Sequence, residues 1–302
     1  MTRGPLNLPG AHVFDARICD LGEGAFWHPV REQFFWFDIP SGRLLSSGEN
    51  SHTANTTSEW QFDFPVSAAA WIDEASLLIA REGALLRFDI GSGRSDVVAD
   101  LDCAGGRLRS NDGRADPQGG FWIGTMGKSA EYQAGAIWRF YKGEMRCLFD
   151  RITIPNAICF STCGTGAFFT DTVTRKVMRQ NLDKDGWPKG EPEVFLDLGT
   201  AKLNPDGAVI DSEDRLWIAQ WGAARVAVYD RDAAFAGAIS IDAPHASCPA
   251  FGGAELSTLF ITSAREGMDD AALESAPKAG MTFASDLAQF AVRGQAEHRV
   301  IL

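Results

Sequence analysis

Glu23, Asn156 and Asp206 lie far apart in the chain, yet each stands beside Gly or Pro at a turn, directly before an apolar run: GEGAFW (22–27), IPNAICF (154–160) and NPDGAVI (204–210). Two carboxylates and an amide are hard oxygen donors, and three of them brought to one point could hold a single divalent cation. Two carboxylates against a dication leave such a cluster near neutral. All-oxygen ligation favours Ca²⁺, Mg²⁺ or Mn²⁺, and Zn²⁺ also binds such sites, so the candidates are Ca, Zn and Mn. The segment RLRSNDGRADPQGGFWIG (107–124) places Arg109, Asn111 and Asp112 in the same register before its own apolar run. Asp and Asn before Gly are also common turn residues, because they bond their own backbone and tolerate unusual dihedrals. Turns alone do not require an acid or amide at the same edge of several units.

Those residues can converge only if the chain repeats. Comparable core positions at Trp27, Trp71, Ala115, Ile158, Val209 and Phe251 give spacings, by subtraction, of 44, 44, 43, 51 and 42 residues. Periods of that size mark propeller blades. Each unit adds a second run with a charged hairpin, as in FFWFDIPSGRLL (34–45), LLRFDIGSGR (85–94) and AIWRFYKGEM (136–145). Period-2 alternation broken by Gly, Asp, Ser and Pro reads as short antiparallel strands joined by tight turns. The expectation is an all-β chain: one domain over residues 1–302, a six-bladed β-propeller of four-stranded antiparallel blades with a central metal site.

Composition narrows the partners. The 302 residues are 45% hydrophobic and 23% charged, with no Pro- or Ser-rich linker and no apolar run near the roughly 20 residues of a membrane helix. The opening MTRGPLNLPG lacks the apolar core of a secretory signal. A formal charge of −12 argues against nucleic acid and anionic lipid as partners. The six cysteines form no CxxC pair, and the five histidines no zinc-like spacing. Reduced, mostly buried thiols in a cytoplasmic protein are expected, and monomer is the default. GxSxG, HExxH, Walker and GxGxxG motifs are all absent.

Trp122 and Trp217 occupy matching FWIG and LWIA strands and read as blade core, whereas Trp221 could reach the channel as a substrate wall. His28 reads as a packed structural residue. REGMDDAALESAPKAG (265–280) suggests a short surface helix with a solvated face of Asp269, Asp270 and Glu274. The final AEHRVIL suggests a closing strand paired with VFDARI (13–18), which would seal the ring.

The strings GEGAFWHP, RSNDGRADPQGGFWIGTMG, IPNAICF, FFTDTVTRKV, NPDGAVIDSEDRLWIAQWG and TSAREGMDDAALESAPKAG resemble the regucalcin, gluconolactonase and luciferin-regenerating-enzyme family over nearly the whole chain. The resemblance implies a six-bladed propeller with one divalent metal in its channel, and an activity on sugar lactones. It implies Glu23, Asn156 and Asp206 as metal ligands, with Arg109 and Asn111 on substrate hydroxyls or the lactone carbonyl. Two positions depart from the pattern: Ala25 stands where Pro is usual, and Ala157 where Gly is usual. Neither removes a ligand.

A dication can polarise an ester carbonyl and acidify a bound water, while a fixed carboxylate takes the proton. Asp206, with a second oxygen free, is expected to be both ligand and general base, with Arg109 and Asn111 stabilising the oxyanion. The expected function is hydrolysis of an aldonolactone to the aldonic acid. The other readings are a calcium-binding regulator without turnover, an esterase of different specificity, and an interaction scaffold; the last would need a large apolar rim.

Overall fold

The computed structural model describes residues 6–48, 57–103 and 105–302. Six four-stranded antiparallel sheets make a six-bladed β-propeller. Blades 1 to 5 each use four consecutive strands, and their innermost strands are Gly22–His28, Val66–Asp73, Leu108–Ala115, Pro155–Phe160 and Asn204–Ile210. Blade 6 starts from His245–Gly252 and takes its outermost strand, His12–Asp15, from the other end of the chain, paired with Thr282–Asp286.

Burial falls from the axis outward. The inner strand of blade 1 is buried at every residue, whereas the outer strand of blade 2, Ser95–Asp100, is exposed or half-buried throughout. An inner strand is covered on both faces by neighbouring blades, so it reads as a continuous apolar run. Among the described residues, side chains from adjacent sheets interlock in an apolar cluster at every blade junction, with a second, smaller one of Leu21, Ile39 and Ala264 between blades 6 and 1. Phe35, Leu77 and Phe88 join blades 1 and 2; Trp122, Ile158 and Phe169 join blades 3 and 4; Trp27, Cys248 and Phe260 join blades 6 and 1.

Trp122 and Trp217 are fully buried, as their sequence positions predict. Each is tied to an aspartate six residues earlier: Trp122 Nε1 donates to Asp116 (3.1 Å), and Trp217 Nε1 donates to Asp211 (2.8 Å). The same aspartates accept the backbone N–H groups of the intervening turn, those of Gln118 and Gly120 in one case and of Glu213 and Arg215 in the other. Turn and core are thereby fixed by one carboxylate. Asp116 also takes Arg139 Nε at 2.6 Å, and both partners are wholly buried.

One expectation, the closing strand, needs revision. The tail 296–302 forms no strand. It crosses the far end of the channel, where Glu297 pairs with Arg114, Trp71 Nε1 donates to Glu297 O (2.8 Å) and Ile301 N–H donates to Gly119 O (2.8 Å). Ring closure does use the 13–18 segment, but its partner is Thr282–Asp286 and pairing stops at Asp15, whose carboxylate turns to Arg17. Only Val300 of the VIL end is buried; Ile301 and Leu302 are exposed. The helix near residue 270 spans only Asp270–Ser275, with Asp269 capping Ala272 N–H. His28 is structural: Arg31 N–H donates to its Nδ1 and its Nε2 faces Asp73 O at 3.1 Å. All six cysteines are free thiols, and His52 lies outside the described residues. No helix among the described residues is long and apolar enough to cross a membrane.

Removing the Asp116 carboxylate would leave Arg139 charged and unpaired in the core. Asp116→Ala is therefore expected to lose about 3–5 kcal/mol of stability in urea unfolding, and a loss under 1 kcal/mol would contradict the role assigned to this pair.

Candidate functional site

Five inner strands carry a bulge near their starting ends in which two residues oppose one. In blade 1 Glu23 pairs with Phe37 and Phe26 with Phe35, so Gly24 and Ala25 share one partner position. Asn156 holds the same pre-bulge place in blade 4, pairing with Thr170. Asp206 and Asn111 stand one residue later, as the first bulged residue of blades 5 and 3. The common register inferred from sequence is thus two adjacent positions. The bulges also shift the aligned core positions: Ile158 lies inside the bulge, not beyond it as Trp27 and Val209 do. A bulge re-aims side chains and ends regular pairing, which suits a rim that must present polar groups.

In blades 1 and 4 the residue after the pre-bulge position takes a left-handed conformation, φ 58° at Gly24 and 57° at Ala157. At Gly24 glycine is obligatory, since a Cβ would collide with the Ser67 carbonyl and the Phe37 ring. Ala157 holds the same strained backbone with a methyl group buried between blades 4 and 5. Strain of this kind beside a buried polar side chain is characteristic of functional sites.

All five sequence-predicted residues line one cavity of about 710 Å³ at this end of the channel: Glu23, Arg109, Asn111, Asn156 and Asp206. Trp221 lines it too, stacked on His245 with ring centroids 4.2 Å apart. Sequence reasoning missed Thr172, Arg175, His245 and Glu266, which also line it, as do Lys128 and Asn204. Glu266 belongs to a stretch taken for surface; its nearness to the helix hid its place at the mouth. Asp112 sits deeper and accepts the Ile158 N–H at 2.8 Å, bridging blades 3 and 4.

Hydrogen bonds set the orientation of the polar groups. Arg109 Nη1 donates to Asn111 Oδ1 (2.7 Å) and Ser110 O (3.0 Å). Asn111 Nδ2 donates to Pro155 O (2.9 Å) and Asn156 Oδ1 (3.0 Å). Asn156 Nδ2 donates to Thr172 Oγ1 (2.9 Å), and Thr172 donates to Pro205 O (2.8 Å). Both Asn111 amide hydrogens are consumed, so it has no N–H left for an oxyanion. That part of its expected role falls to Arg109, whose Nε and Nη2 are not used by these bonds.

Glu23 and Asp206 are buried at 5% exposure each, and neither forms an ion pair among the described residues. Burial, then the charge of Asp112, pushes Glu23 up to about 8. Asp206 is raised well above the usual carboxylate range by burial and then by Glu23. Burial likewise holds Arg109 below its ordinary value, against the opposing pull of Glu266, Glu23 and Asp206. No three His, Cys, Asp or Glu side chains among the described residues converge as a metal-binding group. The donor set is instead two carboxyl groups and one amide oxygen, and once the carboxyls release their protons it fits a hard divalent cation.

Residues 21–265 match the SMP-30/Gluconolactonase/LRE-like region. The chain belongs to that family. Among similar proteins, a Rhizobium meliloti (strain 1021) protein carrying the provisional name of a sugar lactone lactonase is 40% identical over 87% of this chain and 89% of its own. Pentonolactonase XacC of Haloferax volcanii is 31% identical over 89% of this chain and 92% of its own. The crystal structure of a calcium-binding protein, regucalcin, from Agrobacterium tumefaciens str. C58 superposes with a TM-score of 0.91 at 37% identity, covering 98% of this chain and 99% of that one.

The raised carboxylates set a sign for pH dependence. Glu23 moves from an ordinary 4.5 to about 8, so between those values the folded protein keeps a proton that the unfolded chain has released. Stability then falls as pH rises. In chelator-treated protein the melting temperature should decline from about pH 5 to about pH 8, and Glu23→Gln should flatten that slope. A melting temperature that climbs across the window would contradict it.

Proposed function

We propose that this chain is a metal-dependent lactonase that hydrolyses a sugar (aldono-) lactone to the aldonic acid. The observation that carries it is the gathering of two buried carboxyl groups, Glu23 and Asp206, and the Arg109 guanidinium in one cavity. The lactonase names of the Rhizobium and Haloferax relatives support the reaction class, and the calcium-binding name of the Agrobacterium structure supports the cation.

Glu23, Asn156 and Asp206 would hold one divalent ion, with Ca²⁺, Zn²⁺ and Mn²⁺ as candidates. The ion, when bound, supplies Lewis-acid polarisation of the lactone carbonyl and acidification of a water. Asp206 keeps a second oxygen that accepts the proton of the attacking water, the general-base part of the reaction. Arg109 faces the charge that develops on the carbonyl oxygen, and burial strengthens that interaction because little water screens it. Asn111 clamps the guanidinium from behind and keeps one oxygen lone pair to accept a substrate hydroxyl. Trp221, backed by His245, offers a flat apolar wall for the ring.

An enzyme is favoured over an ion-binding regulator because Arg109 is desolvated beside the ligands. Ion binding does not require a cation at that place. The chain is proposed to act as one monomeric cytoplasmic propeller domain, with no nucleic acid or membrane partner.

The decisive assay follows acid release from a panel of aldonolactones by chelator-treated protein, with Ca²⁺, Mg²⁺, Mn²⁺ and Zn²⁺ restored singly. Release should require a cation, and at saturating cation Asp206→Ala should lower kcat by about 10²–10⁴-fold. Wild-type turnover in Asp206→Ala with the ion still bound would remove Asp206 from the chemistry.

Arg109→Lys keeps a positive charge but loses the planar fork, so kcat/KM should fall while cation affinity stays within about threefold. Equal losses in both would mean that Arg109 supports the ion rather than the substrate.

A further inference from the structure

The hydrogen bonds from Arg109 to Pro205 form a chain whose two ends have fixed chemistry. A guanidinium can only donate, and a backbone carbonyl can only accept. Between them lie two amides and a hydroxyl, groups that can act either way. Arg109 Nη1 requires Asn111 to offer its oxygen, and Pro155 O requires the same amide to offer its nitrogen. At the other end Pro205 O takes the single Thr172 hydroxyl proton, so Thr172 Oγ1 can only accept from Asn156. Asn156 must therefore turn Nδ2 toward Thr172 and Oδ1 toward Asn111 and the cavity. Any other arrangement sets oxygen against oxygen or N–H against N–H at a buried site.

We propose that Thr172 is a positioning residue that fixes which end of the Asn156 amide faces the channel, and so makes it a cation ligand. The inference rests on the cation site described above. Asn156 is 4% exposed, so an amide left facing the wrong partner there is costly. The place of Thr172 in the fold suits this role. It opens the 3-10 turn after the second strand of blade 4, where its own N–H donates to Ile154 O at 3.0 Å. Its hydroxyl reaches across to blade 5, one residue before Asp206. Two proposed ligands in different blades are thus tied through one side chain.

The test titrates Mn²⁺ into chelator-treated full-length protein by calorimetry. Thr172→Val, which keeps the shape and removes the hydroxyl, should weaken Mn²⁺ binding by about 10–100-fold, as is usual for an outer partner of a ligand. Thr172→Ser should restore affinity to within about threefold of wild type. Asn156→Asp supplies an oxygen at either end of the side chain, so Thr172→Val added to it should change the affinity little. A merely structural role for Thr172 would give the same loss in both backgrounds. Thr172→Ala serves where the valine variant does not fold. Wild-type affinity in Thr172→Val, or an undiminished loss beside Asn156→Asp, overturns the inference and leaves the lactonase reading standing. The expected affinities in a protein that opens no lactone would sink that reading and leave the positioning role intact. A wild-type protein that binds none of Mn²⁺, Ca²⁺ and Zn²⁺ would overturn both.

Discussion

Two carboxylates deprived of water, with no cation of the chain's own bonded to either, are the constraint around which the active end of this propeller is arranged. A buried charge without a partner is among the least favourable features a fold can carry. Glu23 and Asp206 come from blades 1 and 5, on opposite stretches of sequence, and only ring closure brings them into one cavity. The apolar cores between blades supply the stability that such a site draws down. The proposed site is therefore located where the fold is locally least favourable, at the starting ends of the inner strands.

The opposite end of the channel shows how the same architecture treats a charge it does not use. There Arg114 is matched by Glu297 from the tail, and Trp71 holds the Glu297 backbone in place. Both ends contain buried ionisable groups. One is closed by an ion pair within the chain, and the other holds the proposed cation site.

Much of this could be read from the residues alone. The recurrence of GEGAFW, IPNAICF and NPDGAVI gave both the period and the rim, because a turn before a two-face-buried strand leaves a strong local signature. What could not be read depended on register and long-range contact. The bulges displace Asp206 and Asn111 by one position from Glu23 and Asn156, and no local pattern reports which residue a partner strand skips. Thr172 and Glu266 reach the cavity by chain reversals, and their types are ordinary for loops. The tail misled because apolar residues at a chain end do not say whether they will pair or plug.

The last blade is completed by a strand from the first twenty residues, His12–Asp15 against Thr282–Asp286. Bringing together segments separated by nearly the whole chain carries a loop-closure entropy that no turn can relieve, and contacts of such long range slow folding. Blades 1 to 5 are each assembled from neighbouring sequence, so they can form early and locally. Blade 6 cannot be finished until the two ends meet. The final closure is then expected to be a slow step of folding, and Glu23 and Asp206 share one cavity only once the ring is shut.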